Sequence, residues 1–180
     1  VEKHYGEGDG KGKRILNPVT EVTMDENSYM EMEMVQIKGV DSTQRMTKAD
    51  LAAGAKLIIR ERLLTHGDQH AESGFVVNLN GEDSSANVIS RSVAKNHSTQ
   101  VFNAEINGNA KCAGHSECDA IIMDHAKISA IPKIVANDID AALIHEAAIG
   151  KIAGEQLIKL MTLGLTEKEA EEQIVKGFLK

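Results

Sequence analysis

Short apolar runs recur along most of this chain. Val35-Gln36-Ile37 is followed by runs at 56–64, 75–79, 88–94, 101–106, 120–123, 128–135 and 141–144, all rich in Val, Ile, Leu and Ala. Between them lie Asn80-Gly81-Glu82-Asp83-Ser84-Ser85, Asn107-Gly108-Asn109 and Asn137-Asp138, residue types that favour turns. Short β-branched runs at regular spacing with turn residues between them predict strands and a mainly β fold. Phe75 and Val101 are 26 residues apart, Val101 and Ala130 are 29, and Cys118 and Glu146 are 28. A period in the twenties, with two or three strands per turn, predicts a parallel β-helix, a solenoid whose coils bury thin layers of small aliphatics. The segment 47–64 reads two ways. Thr47-x-x-Asp50 before Leu51-Ala52-Ala53 could open a short helix, while Leu57-Ile58-Ile59 reads as strand.

The two ends break this pattern. Residues 1–14 alternate Gly6, Gly8, Gly10 and Gly12 with charge and read as a flexible lead-in. No register there gives the Gly-x4-Gly-Lys-Ser/Thr of a phosphate loop. From Gly154, Leu157, Ile158, Leu160 and Met161 fall at helical spacing, with Gly164 placed to stop the helix. Thr166-Glu167-Lys168-Glu169 is a capping box, and behind it Ala170, Ile174, Val175 and Phe178 form one apolar stripe. The expected organisation is therefore a lead-in at 1–14, a β-helix core at 15–149 and a helical region at 150–180. The helical region is placed to cap the solenoid or to meet a partner.

Aromatic residues make up only 3% of the chain against 42% hydrophobic, which favours a solenoid over a sandwich packed on large rings. The net charge of −7, with no basic block, argues against nucleic-acid binding. No stretch is long and apolar enough for a membrane span. The chain opens Val1-Glu2-Lys3 with no signal peptide, reads as a fragment, and has only Cys112 and Cys118. A reducing, cytoplasmic setting follows as the expectation.

The densest chemistry lies between Lys111 and Glu146, where Cys112, His115, Glu117, Cys118, Asp119, Asp124, His125, His145 and Glu146 occur within 36 residues. Thiolate, imidazole and carboxylate together suit zinc or iron better than magnesium or calcium. No Cys-x-x-Cys or His-Glu-x-x-His is present, which excludes zinc ribbons and zinc proteases of that type. With a 28-residue coil, Cys118 and the pair His145-Glu146 fall on neighbouring strands about 4.8 Å apart. Strand alternation then lets only one of that pair share the face of Cys118. Two other readings stand beside a metal site: a thiol- or metal-dependent enzyme using Cys118 with His145 or Glu146, and a purely structural solenoid that mediates assembly.

The series Ser90-Arg91-Ser92-Val93-Ala94, Gly114-His115-Ser116-Glu117-Cys118-Asp119-Ala120, Ile131-Pro132, Leu143-Ile144-His145-Glu146-Ala147-Ala148-Ile149-Gly150, then Gly164-Leu165 and Gly177-Phe178-Leu179, resembles the core of the SufB/SufD family. The resemblance is close over 74–180, looser over 15–73, and nearest to the short SufB-like members. It implies a right-handed parallel β-helix with a C-terminal helical region, acting as a non-enzymatic scaffold on which an iron–sulfur cluster is assembled and passed to apo-proteins. By motif position it implies Cys118, Glu146 and His145 as metal ligands, with Cys112 and His115 as additional candidates for ligand or sulfur acceptor. Long SufB proteins often carry a Glu where this chain has Ile144. The implied partners are a SufC-type ABC ATPase, a second copy of the chain or a SufD-like paralogue, a sulfur donor and the apo-protein acceptors. The ATPase would dock on the closing helices, through Gln156, Leu157, Leu160, Met161, Ile174 and Phe178.

Overall fold

The computed structural model describes residues 13–36 and 39–180. Eleven strands precede two helices: β1 (Ile15–Leu16), β2 (Val19–Met24), β3 (Tyr29–Gln36), β4 (Ser42–Leu51), β5 (Lys56–Thr65), β6 (His70–Leu79), β7 (Ser85–Ala94), β8 (Thr99–Gly108), β9 (Ala113–Ile122), β10 (Lys127–Ala136), β11 (Ala142–Gly150), α1 (Gly154–Thr162) and α2 (Glu167–Phe178). From β2 onward, successive strands alternate between two parallel sheets. One sheet runs β1-β4-β6-β8-β10, with β2 also paired to β4, and the other runs β11-β9-β7-β5-β3. This is the expected parallel β-solenoid, of about five turns and two strands per turn. The lead-in assigned to residues 1–14 lies outside the described residues up to 12. Arg14 is held by Asp41, which accepts from its backbone N–H at 2.8 Å and from its guanidinium at 2.9 Å.

The coil length is fixed by residue pairing. Ser42, His70, Thr99 and Lys127 stand in one register column, and Lys56, Ser85, Ala113 and Ala142 in another, each step 28 or 29 residues. The columns turn at residues that tolerate positive φ: Asn27, Gly54 and Asp83 at one corner, Gly67, Asn96 and Asp124 at another. Gly54 has a further reason, since a Cβ there would stand 2.4 Å from Asn27 Oδ1. Asn80, Asn109 and Asn137 stack as an amide ladder, Asn109 donating to Asn80 at 2.8 Å and Asn137 to Asn109 at 2.7 Å. Inside, Leu51, Leu57, Ile59, Phe75, Leu79 and Ile106 are fully buried.

The helical option for residues 47–50 is not taken. Thr47, Ala49 and Leu51 point inward and are buried while Lys48 and Asp50 face out, and β4 pairs with β2 on one side and β6 on the other. Ladder hydrogen bonds on both edges outweigh a four-residue capping signal.

The closing helices form as expected. Thr166 Oγ1 accepts from the Glu169 N–H at 3.3 Å, the Glu169 carboxylate accepts from the Thr166 N–H at 2.8 Å, and Gly164 turns the chain at φ +94°. The end of α2 returns to β5, where the Arg62 guanidinium donates to the Lys180 carbonyl at 2.6 Å. The last coil is not sealed by this pair. Pro132, Ile134, Ala147 and Ile149 align with buried inward positions of the preceding coil yet remain exposed themselves.

Candidate functional site

Strand β9 carries Gly114 to Asp119, and its alternation divides the candidate residues between two faces. Ser116 and Cys118 point into the solenoid and are buried, while His115, Glu117 and Asp119 point outward. On β11, His145 aligns with Ser116, Glu146 with Glu117 and Ala147 with Cys118. The structure therefore brings His145 to the inner face with Cys118 and places Glu146 on the opposite side of the sheet. The six-residue separation of the two cysteines is mostly extended strand, so their thiols stand roughly 15 Å or more apart. Cys112 packs in the apolar core, its Sγ close beside Gly108.

The inner face is polar where it meets the open end. Cys118 is 1% exposed and lies one coil in from the last. Burial, and after it the negative charges of Glu61 and Asp119, push its thiol up to about 12. At neutral pH it is a protonated thiol, not a free nucleophile. On the same inward face, Ser116 Oγ and His145 Nδ1 are buried without a hydrogen-bond partner. Burial, and after it the charge of His115, lowers the His145 pKa, so the ring is held neutral and able to ligate. Two orphaned polar atoms at a coil mouth are costly unless a further group satisfies them. Thiol, hydroxyl and neutral imidazole together form a donor set suited to iron or an iron–sulfur species.

Behind Cys118 runs a buried polar column. Glu61, Ser90 and Cys118 occupy one register line through β5, β7 and β9. The Glu61 carboxylate, 4% exposed, accepts from Ser73 Oγ at 2.5 Å and from Ser90 Oγ at 2.8 Å. A cavity of about 10 Å³ lies against Glu61, Ser73, Ser90 and Gln100, room for about one water. Sequence reasoning missed this column and the orphaned Ser116. The signal was present: Glu61 falls in the inward series Leu57, Ile59, Leu63, and Ser90 stands 28 residues before Cys118.

On the outer face, His115, Glu117 and Glu146 each offer a ligand atom, all within 4.8 Å of one another. Glu117 is visible in the sequence as part of the dense cluster but is not singled out there as a ligand. Burial and the neighbouring Asp119 raise its carboxyl pKa.

The residues named for partner docking lie on the helices. Gln156 and Met161 are exposed, and Leu157, Leu160, Ile174 and Phe178 are half-buried. α1 buries no side chain, and Ile158 and Leu163 are more exposed than any of the apolar residues named. Among the described residues no helix is long and apolar enough to cross a membrane.

Comparison with known proteins agrees with this architecture. Residues 4–178 match the family model described as SUF system FeS cluster assembly, SufBD core domain. The chain is 33% identical over 180 residues to an iron–sulfur cluster assembly SufBD family protein of Methanocaldococcus jannaschii, covering 99% of this chain and 56% of that protein. It is 31% identical over 167 residues to an Archaeoglobus fulgidus SufBD family protein, covering 92% of this chain and 45% of that one. It is also 31% identical over 173 residues to the iron–sulfur cluster assembly protein SufB of Bacillus subtilis, covering 92% of this chain and 37% of that one. The chain thus spans about half or less of these relatives' length. On the family match across nearly its whole length, the chain belongs to the SufBD core domain family of the SUF iron–sulfur cluster assembly system.

Proposed function

We propose that this chain is a scaffold on which an iron–sulfur cluster is assembled and from which it passes to apo-proteins. The observation that carries the reading is the inner face of the last two coils. There the buried Cys118 thiol shares the inward face with the orphaned Ser116 hydroxyl, two residues before it, and with the His145 ring nitrogen on the neighbouring strand, one coil from an open end. A cluster held by one Cys thiolate and one His is less firmly bound than a four-Cys cluster, as cargo meant for release requires. The raised thiol pKa adds to this, because each binding event must first displace a proton.

The exposed inner positions Pro132, Ile134, Ala147 and Ile149 suit a cover. A second copy of the chain, or a SufD-like paralogue, supplies it in this reading and shuts the site from water. α1, with no buried side chain and with Ile158 and Leu163 outward, is the docking element for a SufC-type ABC ATPase. A sulfur donor supplies the sulfide that is built into the cluster at this site, in a cytoplasmic setting that keeps both thiols reduced. The chain itself is assigned no catalytic step.

The test is co-purification with the SufC-type ATPase of the same genome, followed by cluster transfer to an apo-ferredoxin. Wild type is expected to retain the ATPase and transfer cluster. Ile158→Asp with Leu163→Asp, a surface change, is expected to lose the ATPase while remaining folded. A folded wild type that neither binds the ATPase nor transfers cluster contradicts the proposal.

A further inference from the structure

We propose that His115, Glu117 and Glu146 form a binding site for a divalent transition-metal ion on the outer face of the sheet, separate from the Cys118 thiol. His115 and Glu117 stand two residues apart on β9 and so share a face, and Glu146 is the register partner of Glu117 on the neighbouring strand. Their ligand atoms lie within 4.8 Å of one another, and His115 Nε2 is 3.6 Å from Glu146 Oε2. Ligand atoms on one such ion stand roughly 3 to 3.5 Å apart, given metal–ligand bonds of about 2.0–2.2 Å. The Glu146 side chain is 67% exposed, so a rotamer change closes the remaining gap without disturbing the coil.

Asn87 supplies the orientation that metal-binding histidines use. Its side-chain oxygen accepts from His115 Nδ1 at 2.9 Å, which fixes the ring and leaves Nε2 directed at the carboxylates. Asn87 precedes His115 by one coil in the register, so the solenoid repeat itself builds this support. One imidazole and two carboxylates form a nitrogen–oxygen set suited to ferrous iron, manganese, cobalt or zinc, and lack the thiolates that select softer ions. On the scaffold reading proposed above, the ion is ferrous iron. Iron then meets the sheet on its outer face while the thiol waits on the inner one, and Glu146 is not a co-ligand with Cys118.

Anaerobic titration of the full chain with Co²⁺, followed by its visible absorption, tests the site. One ion per chain is expected, with nitrogen–oxygen ligand-field bands and no thiolate charge-transfer band, and with Fe²⁺ competing for it. His115→Ala and Glu117→Gln should each weaken binding at least tenfold, and Asn87→Ala about tenfold through loss of orientation alone. Cys118→Ala should bind as wild type does. These positions are solvent-facing, and circular dichroism confirms folding of each variant. Binding that is indifferent to His115→Ala and Glu117→Gln, or that carries a thiolate band lost in Cys118→Ala, overturns the proposal. Because Co²⁺ binding needs no cluster, a site that binds Co²⁺ in a chain that assembles no cluster refutes the scaffold reading and leaves the site standing.

Discussion

The reactivity of Cys118 can be worked out from its surroundings. Its thiol is pushed up to about 12, first by burial and then by Glu61 and Asp119. At pH 8 a free cysteine with pKa about 8.5 is roughly one-quarter thiolate, whereas a thiol at about 12 is about one part in ten thousand. Alkylation proceeds through the thiolate, so Cys118 should label about a thousandfold more slowly than a free thiol. Burial at 1% exposure slows labelling further, so the pH profile separates charge from access. In a Cys112→Ala background, the rate with iodoacetamide should keep rising about tenfold per pH unit beyond pH 10, with no plateau. Glu61→Gln removes a neighbouring negative charge and should move the profile to lower pH. The same shift bears on stability. The folded chain holds a proton that the unfolded chain releases above pH ~8.5, so stability should fall by about 1.4 kcal/mol per pH unit between there and about pH 12. Urea denaturation at pH 8, 9 and 10 in the Cys112→Ala background, which removes the other buried thiol whose pKa burial raises, measures this, and adding Cys118→Ala should remove the slope. A labelling plateau below pH 10, or an unchanged slope in Cys118→Ala, refutes the reasoning.

Three further outcomes follow from the geometry. Gly81→Ala would put a Cβ 2.0 Å from the Ala53 backbone nitrogen and should cost about 3 kcal/mol or more, read as a lowered urea midpoint. Thr166→Ala removes the capping box at α2 and should cost about 1 kcal/mol, with a loss of helical circular dichroism. His145 has a folded pKa below its unfolded value, so its contribution to stability is lost as pH falls below about 6.5. Its ring resonance should titrate with a depressed midpoint, and His115→Ala should raise that midpoint.

The core strands were legible because period-two alternation and the 28-residue repeat reinforce one another, as in Leu57, Ile59, Leu63 and the columns they join. The first coils were less so. Met30, Met32 and Met34 alternate with Tyr29, Glu31, Glu33 and Val35 in β3, but Met is not a strongly strand-forming residue and gave no β-branched run. The polar start of β9 has no β-branched run, and only the 28-residue spacing put Cys118 on a strand: Gly114 to Asp119 forms strand because β7 and β11 pair with it on both sides, a tertiary cause absent from local propensity. For the site, alternation already required that His145 and Glu146 part company. Which of them joined Cys118 depended on a one-residue register, Ala147 rather than Glu146 opposite Cys118, and a spacing known only to within a residue cannot supply it. The outer trio needed the same register, together with Asn87 one coil earlier.

The most direct measurement compares Cys118→Ala with Cys112→Ala after anaerobic reconstitution with iron and sulfide, by iron and acid-labile sulfide content per chain. Both residues are buried cysteines, so the pair controls for the loss of a thiol as such. Cys112→Ala should retain the cluster of wild type, since Cys112 packs in the apolar core, and Cys118→Ala should lose it. Equal cluster content in Cys118→Ala and wild type would contradict the account.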